Sequence, residues 1–179
     1  MTSAADVIRR LHEHRRWVNH NLLDAAAALS EEQLRREFPI GQGSVWRTLT
    51  HLWAAEFTWL AALEGDPSAL PPGDLRGVLT GNQQGDGAAG SLAELRERWD
   101  DLDGRWRAHL DGLDDRSLDD EVVRQSSMGM RLVTRRSDAL LHVATHAHYT
   151  AAQLVNMLRH LGVEALPATM HIAMARAGL

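Results

Sequence analysis

Cysteine is absent from the 179-residue chain. This absence excludes a disulfide scaffold, a thiolate zinc site and a cysteine nucleophile, and it is consistent with a reducing compartment. Runs of positive charge are also absent, because the Lys and Arg residues are dispersed and the formal net charge is −5. We therefore expect neither nucleic acid nor a membrane surface as a partner. The N-terminal sequence lacks the apolar segment of a signal peptide, so a cytoplasmic location is expected.

One stretch, residues 139–158, contains no Asp, Glu, Lys or Arg and is long enough for a membrane span. It nevertheless contains His142, His146, His148 and Gln153. Because polar groups of this kind are expensive to place in lipid, the stretch is predicted to be a buried helix of a soluble protein.

Apolar residues recur at helical spacing in four long segments. The predicted helices cover residues 4–29, residues 45–63 after a Ser44 cap, residues 92–113 after a Ser91 cap, and residues 135–160 after a Thr134 cap. A capping box at Ser30 predicts a short additional helix, and Pro167 precedes another at the C-terminus. The length suits a single domain spanning residues 1–179.

Two connections have signatures of their own. Residues 65–90 are rich in Gly, Pro, Asp and Gln and predict a long crossover loop, which in a compact domain either carries function or is poorly ordered. Residues 121–125 and 130–133 flank a turn and predict a small hairpin. The predicted fold class is therefore all-α, a four-helix bundle with a long crossover loop, a small hairpin and a short C-terminal helix.

The last long helix carries a polar stripe. On a helical wheel its aliphatic residues share one broad face, and the opposite side holds His142, His146, Tyr149, Thr150 and Gln153. A solvent-facing stripe normally carries Lys, Glu or Arg, and this one carries none. Both sides are therefore predicted to be covered, one by the bundle and the other by a partner, for which a homodimer is the expected source.

Two histidines of this stripe have the spacing of a metal chelate. His142 and His146 are four residues apart, a spacing at which two imidazoles on a helix can bind one ion, although chance spacing of structural histidines is the alternative. His51, on the second long helix, has space beside it because its neighbours on that side are small: Thr48, Ala55, Thr58 and Ala62. It is predicted either to join a site or to be a core imidazole bonded to a backbone carbonyl.

The other polar candidates are expected to be structural. Glu56 is expected to pair with an arginine, although a shielded carboxylate could instead orient a ligand or accept a proton. His12, His14 and His20 are expected at surface or amphipathic positions of the first helix. The tryptophans at positions 17, 46, 53 and 59 are expected in the core rather than in a cofactor cage. No phosphate-binding loop and no nucleophile elbow is present in the sequence.

Several of these residues follow the order of a known family. They are Trp17-Val18-Asn19 in the first helix, Gly43-Ser44-Val45, Thr50-His51-Leu52, Glu56 and Trp59 in the second, and residues 138–146, Gln153 and residues 157–163 near the end. In the order and spacing of these motifs, over nearly its whole length, the chain resembles the DinB/YfiT-like superfamily of four-helix-bundle proteins.

The resemblance implies a specific site. Family members of this kind hold a divalent metal, here expected to be zinc or nickel, with one histidine from the second long helix and two from the last at i,i+4 spacing. Many are homodimers, and some are thiol-dependent transferases or isomerases that use mycothiol, bacillithiol or glutathione. The resemblance carries over His51 and His146 as two of the ligands.

The third ligand departs from the family pattern. Where the family usually has His-Arg-Gly-Gln, residues 150–153 are Thr-Ala-Ala-Gln, and a threonine hydroxyl is a poor ligand for zinc or nickel. Either His142 completes a trio with His51 and His146, or the site has decayed. His148 is not expected to substitute, since it lies about 200° around the helix from His146.

Two functions are compatible with this sequence. The first is a metal-dependent enzyme of the thiol S-transferase kind, in which Tyr149, Thr150 or Gln153 orients a small-molecule substrate and no catalytic residue is assigned. The second is a non-catalytic, stress-associated binding or interaction bundle with a degenerate, metal-free site. The retained histidines favour the first function, and the threonine at position 150 favours the second.

Overall fold

Four long helices dominate the computed structural model, which describes residues 1–126 and 128–179. In chain order the elements are α1 (Ala4–Ala27), α2 (Glu31–Arg35), α3 (Val45–Leu63), α4 (Leu92–Asp111), a 3-10 turn (Ser117–Asp119), β1 (Glu121–Gln125), β2 (Arg131–Arg135), α5 (Arg136–His160) and α6 (His171–Arg176). The predicted all-α bundle with a small hairpin and a short C-terminal helix is confirmed.

Serine side chains begin three of the long helices. Ser3, Ser44 and Ser91 each accept a hydrogen bond from the backbone N–H three residues later, at 3.1 to 3.2 Å. Each bond satisfies a donor that the first helical turn leaves without a partner. The starts of α1, α3 and α4 are therefore encoded locally, and they lie where the sequence predicted them.

The hairpin extends further on its second side than predicted. β1 pairs antiparallel with β2 in a register that places Glu121 opposite Arg135. Thr134 therefore lies in β2, and the prediction that it caps the last helix is wrong: α5 begins at Arg136 without a side-chain cap. A β-branched residue suits the paired, extended backbone of a strand. Ser127, in the predicted turn, lies outside the described residues.

The order of the helices around the bundle explains the long crossover. α5 packs against α1 and α3, and α4 packs against the same two helices. α3 and α4 run parallel, because residue numbers increase in the same direction along both. Arg98 stacks on Trp53, and further along both helices Arg105 pairs with Glu64, the C-cap residue of α3. A helix of 19 residues is about 28 Å long, so the chain must travel back by that distance between them. The connection between the end of α3 and the start of α4 does so, as predicted.

The bundle core contains most of the large apolar side chains. Trp46 and Trp53 are buried, as expected, and Trp17 and Trp59 pack at the edge of the core. Trp99 and Trp106 of α4 are almost completely buried as well. The aliphatic face of α5 lies in this core with its residues Leu140, Val143, Ala147, Ala151, Leu154 and Leu158.

The opposite side of α5 is open in the single chain. Leu141, His142, Thr145, Tyr149 and Ala152 are exposed there. A single chain therefore leaves these residues of the polar side uncovered, and cover by a partner stays a prediction. In the described part of the chain, no helix combines the length and apolar character that crossing a membrane requires.

Candidate functional site

The crossover loop holds His51 in a fixed orientation on α3. The His51 Nδ1–H donates a hydrogen bond of 2.8 Å to the Thr80 carbonyl oxygen. A carbonyl can only accept, so in the neutral ring the bond places the proton on Nδ1 and the lone pair on Nε2. A bond of this kind on the outer nitrogen is what orients metal-ligating imidazoles. The backbone-carbonyl alternative raised by the sequence is thus compatible with a role as a ligand.

The loop reaches His51 because Gly81 allows two backbones to meet. Gly81 has a φ of +84°, and a Cβ there would lie 2.6 Å from the backbone nitrogen of His51. Its carbonyl accepts a bond from Thr50 Oγ1 at 3.0 Å, and its N–H donates to buried Asp74 at 2.6 Å. Asp74 also accepts the backbone N–H of Gln83 at 3.1 Å. The crossover loop is therefore organised around one carboxylate, and it positions a candidate ligand.

His146 and His142 meet His51 across the interface between α3 and α5. The ring centroids of His51 and His146 are 5.4 Å apart, and those of His146 and His142 are 5.6 Å apart. The two α5 rings are stacked at 26°, whereas His51 meets His146 edge-on at 68°. The structure thus places the three predicted ligands in one group, here called the histidine cluster.

The surroundings of His142 and His146 favour the neutral form of both imidazoles. Burial, followed by the neighbouring rings of His51 and His142, lowers the pKa of His146 to about 4. Burial and then the Arg124 guanidinium also lower the pKa of His142. Neutral imidazoles are the form in which histidine binds a metal ion.

Trp59 and Arg124 border the histidine cluster. The Trp59 ring lies 5.1 Å from the His142 ring, and the Arg124 guanidinium carbon lies 4.7 Å from a Trp59 ring centroid. The sequence placed Trp59 in the core and did not single out Arg124. Arg124 belongs to β1, and no spacing rule links a strand residue to histidines on helices before and after it. Only the packing of the hairpin on α3 and α5 reveals it.

The three residues predicted to orient a substrate, Tyr149, Thr150 and Gln153, lie in different environments. Thr150 is buried, and Gln153 is partly buried near the start of α3, where a Cβ on Gly41 would be 2.8 Å from Gln153 Oε1 and 3.2 Å from Thr48 Oγ1. Tyr149 is 66% exposed on the open side of α5. The stripe therefore continues along α3 through Gln153, whereas Tyr149 faces solvent.

The donors of the histidine cluster suit a borderline divalent ion, because imidazole is a preferred ligand of zinc and nickel. In residues 1–126 and 128–179, however, no three His, Asp or Glu side chains converge closely enough to hold an ion as they stand. Thr150, at the family's third-ligand position, offers a hydroxyl instead. The cluster has suitable chemistry, and its rings would have to turn to share one ion.

A cavity of about 490 Å³ opens between the crossover loop and the hairpin, and none of the three histidines is among its described lining residues. Thr80, whose carbonyl holds His51, lines it together with Arg124 and Thr58. The volume is in the range of small-molecule sites.

The family model described as the DinB superfamily matches residues 4–169, from the start of α1 to the segment before α6. The chain belongs to the DinB superfamily. A search among curated proteins finds no match to the sequence. The resemblance in the sequence motifs is thus confirmed, and the match spans every element that contributes to the histidine cluster.

Glu56 lies inside the DinB bundle, away from the histidine cluster. Its carboxylate accepts hydrogen bonds from Arg15, from Asn19 Nδ2 at 2.7 Å and from Trp99 Nε1 at 3.2 Å. The predicted pairing with an arginine is confirmed. None of these partners belongs to the cluster, so Glu56 has a structural role in the bundle.

The α1 histidines of this DinB protein are more buried than predicted. His12 is 2% exposed and bonds the Leu140 carbonyl at 3.1 Å, and His14 is 8% exposed and bonds the Thr169 carbonyl at 2.8 Å. The surface prediction is wrong for both, because α5 and the segment after it cover this part of α1. The side chain of His20 stays partly exposed.

Proposed function

We propose that the protein is a DinB metalloprotein that binds one divalent ion, zinc or nickel, through His51, His142 and His146. We propose further that it acts on a small molecule in the manner of a thiol S-transferase. The observation that carries this proposal is the state of His51, whose Nδ1–H is bonded to Thr80 while the Nε2 lone pair remains available beside His146.

When bound, a divalent ion supplies a Lewis acid that lowers the pKa of a thiol or a water molecule. The residues of the chain set the conditions for this chemistry. The bond to Thr80 restrains the His51 ring, burial favours the unprotonated form of His146, and Trp59 packs against His142. Gln153, further along the stripe, offers an amide to orient a substrate. A low-molecular-weight thiol would serve as co-substrate.

A metal-free, stress-associated binding bundle is the second candidate function. The finding that favours it is that no set of three ligands converges in the described ranges, together with Thr150 at the usual third-ligand position. In this case the cavity between the crossover loop and the hairpin would bind its small molecule without an ion, and the histidines would be structural side chains of the interface between α3 and α5.

Metal analysis of tag-free protein separates these two functions. For the metalloprotein we expect about one equivalent of zinc or nickel after loading and dialysis, and loss of the ion in His51→Ala and His146→Ala. His160→Ala is the matched control, since this exposed histidine on the same helix lies outside the cluster. Substoichiometric metal in the parent protein would contradict the proposal and support the metal-free bundle.

The His142→Ala variant tests the rearranged trio. If His142 replaces the ligand that the family has at position 150, this variant loses the ion as completely as His51→Ala does. Retention of the ion in His142→Ala would show that a two-histidine site is sufficient. A thiol-dependent loss of a model electrophile, measured on loaded protein, then tests for the enzymatic activity.

We also propose that the protein is a homodimer joined through the open side of α5. That side carries no charged residue between Ala139 and Leu158, and it exposes Leu141 and Tyr149. Apolar surface of this kind on a helix favours a partner. Light scattering should give about twice the chain mass of 19.9 kDa, and a Leu141→Glu variant should give the monomer.

A further inference from the structure

An unusually placed arginine lines the cavity between the crossover loop and the hairpin. Arg124 forms no ion pair with any residue that the structure describes, and its buried Nε has no hydrogen-bond partner. Its guanidinium lies over Trp59. Burial also lowers the pKa of Arg124. A partly desolvated cation without a carboxylate partner interacts strongly with an anion that reaches it.

The charges around the cavity favour a negatively charged ligand. Arg124 and Arg76 line it, and Asp74 is the one carboxylate among the described lining residues. Both oxygens of Asp74 already accept backbone N–H groups, one from Gly81 at 2.6 Å and one from Gln83 at 3.1 Å. The aspartate is therefore committed to the loop, and the charge that remains to act on a ligand is positive.

The remaining wall of the cavity combines apolar and uncharged polar side chains. Its apolar lining residues are Pro67, Ala69, Leu70, Pro71, Leu75, Val78 and Met128. A ligand that fits both parts of the wall has a hydrocarbon body and one anionic end. A guanidinium presents two parallel N–H donors that match the two oxygens of a carboxylate, which favours a carboxylate at that end.

We infer that this cavity binds a small, partly apolar organic acid, and that Arg124 anchors its carboxylate. The inference rests on the proposed function in one respect, namely that this acid is the substrate presented to the histidine cluster. Trp59 connects the two parts of the site, since its ring contacts both the Arg124 guanidinium and the His142 ring. The Arg124 end of the cavity is therefore linked to the cluster through the Trp59 ring.

Calorimetric titration of the metal-free protein tests the inference with two matched probes, 3-phenylpropionate and its neutral isostere 3-phenylpropanamide. We expect the acid to bind and the amide to bind at least about tenfold more weakly, as expected for loss of one charge-assisted bidentate pair. Equal binding of the two probes, or no measurable binding of the acid, would overturn the inference.

Three variants assign the effect to Arg124. Arg124→Gln should weaken binding of the acid about tenfold or more and leave the amide unchanged, and Arg124→Lys should be intermediate because it keeps the charge without the fork. Arg131→Gln is the control, since it removes one positive charge from an exposed residue of the same hairpin outside the cavity. A loss of acid binding in Arg131→Gln equal to that in Arg124→Gln would contradict a specific anchor.

The same proteins separate this inference from the metal proposal. Arg124→Gln should retain the metal content of the parent. If the parent binds no metal but still binds the acid through Arg124, the metal proposal fails alone. If metal binds but Arg124→Gln binds the acid as the parent does, the acid inference fails alone. Inorganic phosphate should not displace the acid at equal concentration, and displacement would refute a carboxylate site.

Discussion

The Arg15 guanidinium on α1 and the Glu56 carboxylate on α3 form an ion pair at the centre of the bundle, where both side chains are almost completely buried. α4 and α5 lie between these two helices, so the pair joins opposite corners. Burial raises the pKa of Glu56, and the Arg15 charge opposes this shift. Bonds from Asn19 and Trp99 satisfy further lone pairs of the carboxylate, which makes its burial tolerable.

Removing Glu56 should strongly destabilise the fold. Glu56→Ala leaves Arg15 buried without its closest counter-charge, and we expect the free energy of unfolding to fall by about 3 to 5 kcal/mol. Urea unfolding followed by circular dichroism measures this change. Glu31→Ala, which breaks an exposed pair with Arg35, is the control and should change stability little. A similar small effect in both variants would contradict a central role for the buried pair.

His12 should make the protein less stable as the pH falls. Burial, with the Arg15 charge as the next cause, lowers the pKa of His12 from 6.5 to about 3. Between about pH 6.5 and 3, His12 is therefore protonated in the unfolded chain but not in the folded chain. The free energy of unfolding decreases as the pH falls through this range. The slope from this group is up to about 1.4 kcal/mol per pH unit. We expect the plots of the free energy of unfolding against pH for the parent and for His12→Asn to differ in slope within this window. Above it, the two plots should run parallel.

His20 should act in the opposite direction. Its hydrogen bond to Asp103, of 3.0 Å, raises its pKa above 6.5, so the folded state favours the charged form. This contribution is fully present below pH 6.5 and is lost as the pH rises through the raised pKa. An NMR titration should give a pKa for His20 above that of a model peptide. Asp103→Asn should bring it down, and an unchanged value in that variant would show that the aspartate is not the cause.

The sequence was sufficient where the determinants are local. Ser44 begins α3 through a bond to a residue three positions later, and His142 and His146 share a side of α5 because four residues complete about one helical turn. His51 was identified by its small neighbours and by the family motif, and it does lie against His146. Each of these inferences needed only helical geometry.

The sequence was insufficient where the chain returns from a distance. Arg124 reaches the histidine cluster only because the hairpin packs on α3 and α5, and Thr80 reaches His51 only because the crossover loop folds back on α3. The sequence predicts a surface position for His12, whereas in the structure α5 covers it and its ring contacts the Leu140 carbonyl. These are contacts between segments far apart in the chain, and helical periodicity carries no information about them.

Gly81→Ala should weaken metal binding without altering any proposed ligand. The φ of +84° is unfavourable for alanine. The alanine Cβ would lie 2.6 Å from the backbone nitrogen of His51 and 2.7 Å from the Thr50 carbonyl oxygen, so the loop must move. The hydrogen bond between His51 Nδ1 and the Thr80 carbonyl is then lost. Loss of an orienting bond of this kind typically lowers metal affinity about 10- to 100-fold.

Gly77→Ala separates the collision at Gly81 from the backbone strain. Gly77 has a similar φ of +77°, but a Cβ there would meet nothing within 4 Å. This variant therefore carries the strain of a left-handed residue, about 1 to 2 kcal/mol, without displacing the loop from α3. Competition titration with a chelator should show reduced affinity in Gly81→Ala and parental affinity in Gly77→Ala. Equal affinities in the two variants would mean that the contact between the loop and His51 does not support the site.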